Sequence, residues 1–355
     1  MYFNTDNIYG RLYAGFSDTT LEYLIYARKC HDADLSYDKA SFTVNLEKSQ
    51  VESGVYKIKY TLSESLSFAI CSVPSKSCGK EINAEISKGS DGSYRFDVLA
   101  EDTDVNILVE ECVMNYIGYD YDKYYLKDMY VPDTLDTEKM YSYILKTLTA
   151  QANSNVSKQK KLLAAYNKDP YKYESSVKAQ HTYDRSKALS YAYRWANGEK
   201  VVRNPKYSDY SIYGGNCQNY VSQVIFATGV PMDWTGKQQW KWFDDNINLN
   251  EEPKGRTGSW SGTEYFYNYC KKNTGKGLVA ELGANIFSAQ PGDVIQYVVN
   301  GWAHHSVIVT DVVHDENGNV VDLLINSNTT DRVNFPMSAY GYTDIRLIKI
   351  IGYNK

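Results

Sequence analysis

The chain has 355 residues, 43% hydrophobic and 23% charged, which is enough for two domains with separate cores. Its net charge is −5 and no run of Lys and Arg stands out, which argues against nucleic acid as a partner. No apolar run approaches a membrane span, and Met1-Tyr2-Phe3-Asn4-Thr5-Asp6 has neither the basic start nor the apolar core of a signal peptide. That leaves a cytosolic protein or a mature form whose leader has been removed.

The first third predicts a small α+β unit. Thr19 to Cys30 has helical apolar spacing. Alternating segments follow at Ser41 to Leu46, Val55 to Leu62, Phe68 to Val73, Ile82 to Ile86, Tyr94 to Leu99 and Val105 to Val109. Turn signals such as Ser90-Asp91-Gly92 separate them, the pattern of an antiparallel meander. Cys71 and Cys78 flank a loop short enough to be stapled in an oxidising compartment; two reduced cysteines beside a turn fit equally well. Tyrosines crowd between Tyr116 and Tyr130, either as packing residues with wet hydroxyls or as a platform for a glycan or wall polymer.

Asp133 to Gln180 reads as a connector. One helical pattern runs to Ala150, a second Lys-rich one runs near Lys158 to Tyr166, and Asp169-Pro170 breaks it. Tyr183-Asp184-Arg185 then opens a helix whose Ala188, Leu189, Tyr191, Ala192 and Trp195 form one face, closed by Asn197-Gly198.

The most informative stretch is Gly214-Gly215-Asn216-Cys217-Gln218-Asn219-Tyr220-Val221-Ser222-Gln223. Apolar residues recur at helical spacing after the cysteine, and Gly229 supplies a stop before Pro231. This spacing puts Cys217 in the first turn of a helix with Asn216 at its N-cap. The N–H groups and dipole there favour thiolate, the nucleophilic form.

Downstream, Asp293 to Val299, His305 to Val313 and Val320 to Asn328 are strands joined at Asn300-Gly301 and at Asp315-Glu316-Asn317-Gly318-Asn319. A hairpin centred on Asn317-Gly318 pairs Val307 with Asn328 and His305 with Thr330, so His305 and Asn328 lie diagonally on one face. An amide there can fix the imidazole, which makes Asn328 preferable to Asn326, one pair further along. A slip of one residue would bring Ser327 round instead. His304 and His305 point to opposite faces; Val307 and Val309 continue the face of His305, so a buried, water-poor site favours His305. The five His and six Cys lack C-x-x-C, H-E-x-x-H and H-x-x-E-H spacing, and no metal or other cofactor is expected.

Together with Tyr183-Asp184-Arg185, Trp195-Ala196, Arg203-Asn204-Pro205-Lys206-Tyr207, Pro291-Gly292-Asp293-Val294-Ile295 and His305-Ser306-Val307-Ile308-Val309-Thr310, the Cys217 motif resembles the putative amidase domain. That family belongs to the papain-like cysteine hydrolases, near the NlpC-type and CHAP cell-wall peptidases. The resemblance runs from about Tyr183 to the C-terminus. It implies Cys217 as nucleophile, His305 as general base and Asn328 as the third polar residue. It also implies amide-bond cleavage, with a peptide or peptidoglycan stem as substrate, in an exported, wall-associated bacterial protein. Tyr207 resembles the upstream tyrosine that some wall peptidases use at the oxyanion hole, beside the backbone N–H of Cys217 and the neighbouring Asn216. Trp260, Trp240, His304 and Trp302 are candidates to line the cleft, although buried core is the favoured role for the indoles of Trp260 and Trp240. Two departures stand out: the family usually has Asp where Asn216 stands, and often His where Asn328 stands.

The expected architecture is α+β. An accessory domain spans 1–120, a helical connector 121–180, and a papain-like domain with a Cys-bearing helix on an antiparallel sheet 181–355. The expected activity is cysteine-dependent amide hydrolysis through a thioester. The alternatives are a silent wall- or peptide-binding module and an acyltransferase or transglutaminase using the same residues. Nothing in the sequence fixes the oligomeric state.

Overall fold

The computed structural model describes residues 37–52, 54–101, 106–118, 136–211, 215–234, 237–244, 255–340 and 344–355. The helix expected at Thr19 to Cys30, Gly214 and most of the tyrosine-rich stretch after Tyr116 lie outside these residues. The fold is α+β, with helices on both sides of an 11-stranded sheet.

The alternating segments of the first third become β1 (Tyr37–Glu52), β2 (Val55–Phe68), β3 (Ser75–Lys88) and β4 (Tyr94–Glu101), an antiparallel meander. Phe68 to Val73 is not a separate strand: Phe68 ends β2 and a turn leads to β3. Val105 to Val109 departs more sharply from expectation. Val105 lies outside the described residues, and the rest enters α1 (Asn106–Tyr116), because Leu108, Cys112 and Val113 recur at helical spacing and all three are buried.

The connector is one helix, not two. In α2 (Thr137–Lys168), Asp136 caps the first turn by accepting from the Lys139 N–H at 3.0 Å. Met140, Ile144, Leu148, Ala152 and Val156 form an unbroken buried stripe four residues apart, which carries the helix through the polar stretch between the two expected segments. Asp169-Pro170 ends it as expected.

The C-terminal part supplies α3 (Arg185–Trp195), α4 (Cys217–Ala227), α5 (Gly258–Ser261), α6 (Thr263–Lys272) and strands β5 (His181–Thr182), β6 (Gly277–Leu282), β7 (Val294–Val299), β8 (Trp302–His314), β9 (Val320–Ser327), β10 (Asp331–Pro336) and β11 (Asp344–Asn354). The strand order is β1-β2-β3-β10-β9-β8-β7-β11-β5, with β4 beside β3 and β6 beside β11. The meander is therefore continuous with the C-terminal sheet, joined where Asp331, Arg332 and Val333 of β10 pair with Cys78, Ser77 and Lys76.

Strand alternation divides the core in two. Ile295, Tyr297, Val307, Val309 and Leu347 face α1 and α2. Val294, Ile308, Ile348 and Ile350 face α3, α4, α5 and α6.

One buried carboxyl on β9 gives the fold a pH dependence. Asp322 on β9 accepts from Ser338 Oγ and the Leu323 N–H, and burial pushes its pKa up to about 6. An unfolded Asp titrates near 4, so the stabilisation from protonating Asp322 is full below that pH and is lost as pH rises through 6. Thermal melts of Asp322→Asn across pH 4 to 8 are expected to gain on the wild type as pH rises, by on the order of 2–3 kcal/mol. Parallel profiles would show that Asp322 stays charged in the native state.

Candidate active site

The helix that begins at Cys217 is buried on every side from Cys217 to Ile225. Its polar residues, spaced as a solvated face would be, are instead satisfied inside the protein. Asn219 Oδ1 accepts from Trp260 Nε1 at 2.8 Å, and Ser222 Oγ donates to the Trp260 carbonyl and accepts from Trp240 Nε1. Tyr191 donates to Gln223, and the Tyr220 hydroxyl donates to the Ala192 carbonyl. These bonds fix α4 between α3 and α5, and Cys217 at its head is 6% exposed.

The turn into Cys217 is equally constrained. Gly215 has φ 118°, a backbone conformation that only glycine adopts at low cost. The Asn216 N–H donates to Thr329 Oγ1 at 2.8 Å. Thr329 itself stands at φ 104°, a strained position for a β-branched residue. Strain is thus stored in the residue that holds the backbone immediately before the thiol.

Asn216 occupies the N-cap position, but its side chain makes no cap hydrogen bond. Its ψ of 1° is far from the extended conformation that aims a cap at the first turn. The side chain turns away instead. Its Oδ1 accepts from the Tyr210 N–H and Asn219 Nδ2, and its Nδ2 donates to Asn328 Oδ1 at 2.6 Å.

The hairpin register explains that last contact. Val312↔Leu323 and Val313↔Asp322 pair as the sequence predicts, but a bulge between Val309 and Asp311 shifts the rest by one, giving Val309↔Ile325 and Ile308↔Asn326. The slip moves Asn328 out of the expected pairing opposite Val307. Its Nδ2 donates to the Trp195 carbonyl while Oδ1 takes Asn216. Asn326 Oδ1 accepts from the Asn334 N–H.

His305 lies with its ring along Tyr297, centroids 6.1 Å apart, and its Nε2 is 3.2 Å from the Tyr340 hydroxyl. The Tyr340 hydroxyl is 2.8 Å from Ser327 Oγ, the residue a one-residue slip brings round. A second bulge falls between the pairs Tyr297↔His305 and Val298↔Ala303, with His304 as the extra residue. His304 is half-buried; burial lowers its pKa and the nearby Glu264 carboxylate opposes that shift.

The two elements are tied together by the residues next to Cys217 and His305. Ser306 Oγ donates to Gln218 Oε1 at 2.8 Å. From there Gln296 Nε2 donates to Ser306, Arg346 Nε donates to Gln296, and Arg346 pairs with Glu264 at 2.6 Å. Glu264 in turn accepts the Ala303 N–H at 3.0 Å, just before the two histidines. Glu264, Arg346, Tyr340 and Thr329 carry no local sequence signal; only the pairing of distant strands and helices brings them here.

Among the remaining candidates, Trp260 and Trp240 are fully buried and stack on each other at 5.0 Å, so both indoles are core and not cleft. Tyr207 is half-buried, stacked on Trp260 at 5.8 Å, and lines a small cavity with Arg203, Asn216, Tyr220 and Asn328. Trp302 is half exposed at the head of β8, edge-on to Tyr265. Cys71 and Cys78 are unbridged, and burial pushes both thiols up to about 12. Burial also raises Cys270. Among the described residues no three His, Cys, Asp or Glu side chains gather as metal ligands, and no helix is long and apolar enough to cross a membrane.

Residues 182–351 match the family model of the putative amidase domain, the family that the motifs resemble. This match supports a hydrolase of the amidase kind. The chain is 30% identical over 151 residues to an uncharacterized protein, YhbB, of Bacillus subtilis strain 168; the match covers 42% of each chain. No solved structure matches the chain.

Proposed function

We propose that residues 182–351 form a cysteine amidase in which Cys217 is the nucleophile and His304 the general base. The observation that carries this reading is the Ser306–Gln218 hydrogen bond, which turns the face of β8 shared by His304 and Ser306 toward the first turn of α4. The thiolate attacks the amide carbonyl, and the Cys217 N–H at the head of α4 faces the developing oxyanion. The imidazolium returns its proton to the departing amine, and water resolves the thioester. Peptidoglycan stem peptides, outside the cell or in its wall, are the substrate class that the family resemblance favours. Ile308, which also shares the parity of His304, faces α4 as well. A second reading, which the family resemblance implies, makes His305 the base, but the His305 ring lies on Tyr297 and Tyr340 on the α2-facing side.

The test is iodoacetamide alkylation from pH 5.5 to 9, with the modified cysteine identified by mass spectrometry, in wild type, His304→Ala and His305→Ala. Burial holds Cys71 and Cys78 at about 12, so labelling below pH 7 is expected at Cys217. It should collapse in His304→Ala and persist in His305→Ala. The reverse pattern would move the base to His305. An ordinary thiol profile in all three proteins would sink the enzyme reading and leave a silent binding domain. Release of new amines from wall muropeptides by the wild type then tests the substrate class, and amine-acceptor incorporation would mark a transferase instead.

A further inference from the structure

The residue before His304 is clamped by the first two residues of α6. Thr263 Oγ1 donates to the Ala303 carbonyl, and Glu264 Oε2 accepts the Ala303 N–H at 3.0 Å. This clamp matters because the ladder with β7 passes from Val298↔Ala303 straight to Tyr297↔His305, so strand pairing does not set where His304 points. Glu264 is buried in the first turn of α6, where a helix end favours a negative side chain. Its Oε1 accepts from Asn268 Nδ2 at 3.3 Å, and Arg346 Nη2 donates to Oε2 at 2.6 Å. Arg346 is itself fixed, over the Tyr267 ring at 3.5 Å and on Gln296 Oε1 at 2.9 Å. From Gln296 the bonds continue through Ser306 to Gln218, so the carboxylate belongs to the α4-facing side of the sheet, the side of Cys217.

We infer that Glu264 is the positioning carboxylate of the proposed amidase: it pins the backbone beside His304 and sets a negative charge near the imidazolium that forms when His304 takes the Cys217 proton. Asn328, the third polar residue that the family resemblance implies, is instead bonded to Asn216 and the Trp195 carbonyl. A fixed carboxylate in this role stabilises imidazolium over imidazole without taking the proton itself. Burial lowers the His304 pKa, and Glu264 opposes that shift. Around this network α6 brings Glu264 and Tyr267, and β11 brings the Arg346 guanidinium. Strands β7 and β8 bring the neutral Gln296 and Ser306, and α4 brings Gln218 beside the Cys217 thiol. The assignment rests on His304 being the base of the proposed amidase, but the effect of the charge is measurable without any turnover.

The experiment is NMR titration of His304 in the full chain carrying Cys217→Ala, so that no thiolate contributes, with its signals assigned against His304→Ala. Glu264→Gln keeps an oxygen for the Ala303 N–H and removes the charge, and the His304 pKa should fall. Mere loosening would hydrate the imidazole and move it the other way, toward its ordinary value. Combining Glu264→Gln with Arg346→Met removes both charges, which guards against misfolding around an uncompensated guanidinium. The His304 pKa should again lie below that of the parent, because Glu264 is the charge that acts on it. With Cys217 restored, its alkylation at neutral pH in Glu264→Gln should slow on the order of 10-fold, short of the roughly 10²- to 10⁴-fold that a general base contributes. A His304 pKa unchanged or raised in either variant would overturn the assignment. An inert Cys217 in the wild type together with the expected fall would leave the effect of Glu264 on His304 standing and remove the amidase reading instead.

Discussion

Cys217→Ala is expected to abolish amide hydrolysis while leaving the fold intact. Removing the nucleophile of a unit that acts together costs nearly the whole catalytic advantage, about 10⁴-fold or more. Stability should change little, because the variant loses a single sulfur atom at the first position of a helix held by other groups. Gln218, Asn219, Tyr220, Ser222 and Gln223 keep their hydrogen bonds to β8, α5 and α3. The check pairs a hydrolysis assay on stem-peptide amides with a thermal melt. Activity surviving in a folded Cys217→Ala protein would remove the cysteine mechanism whatever the alkylation results.

The largest stability effect is expected at Asp293→Ala, at roughly 3–5 kcal/mol. Asp293 is fully buried and pairs with Arg185 Nη1 at 2.9 Å. It also accepts the backbone N–H groups of Gln290 and Ile350, each at 2.9 Å. Arg185 meanwhile donates to the carbonyls of Pro291 and Ile350, and the Tyr183 hydroxyl reaches the Gly292 carbonyl. This cluster ties the start of α3, the entry to β7 and the middle of β11 together. Alanine leaves two buried N–H groups and a guanidinium without their acceptor. Urea unfolding should report the loss directly. An effect below about 1 kcal/mol would mean that the cluster rearranges or is hydrated. The Tyr183-Asp184-Arg185 and Pro291-Gly292-Asp293 motifs thus have a structural explanation that needs no part in catalysis.

The two departures from the family pattern acquire a common cause in the same way. Asn216 and Asn328, read separately in the chain, donate and accept across a 2.6 Å hydrogen bond. A neutral amide pair stands where the family commonly has Asp and His, so the backbone turn before the thiol is held here without ionisable groups.

Local features were legible in the sequence because their causes are local. Glycines and an Asn before a cysteine, followed by helical apolar spacing, place Cys217 at the start of α4. Alternation and Asn-Gly turns give β7, β8 and β9, and the pairs Val312↔Leu323 and Val313↔Asp322 keep the expected register, although it shifts by one at His314↔Val320 next to the turn. Asp169-Pro170 ends α2 because proline cannot continue a helix. The histidine neighbours and the residues around Asn328 were decided elsewhere. One extra residue between Val309 and Asp311 moves Ser327 toward His305 and gives Asn328 to Asn216, and no pattern in β8 announces it. The two-layer packing of the sheet determines where such a bulge is tolerated, because each strand residue must satisfy the core on its own side. Tyr340, Thr329, Glu264 and Arg346 reach the site from 35 to 113 residues away in the chain or across the sheet by that same packing. The sequence by itself placed Cys217 at the head of a helix and His304 and His305 at the start of one strand; only the tertiary structure decided which groups hold them, because that depends on contacts between segments far apart in the chain.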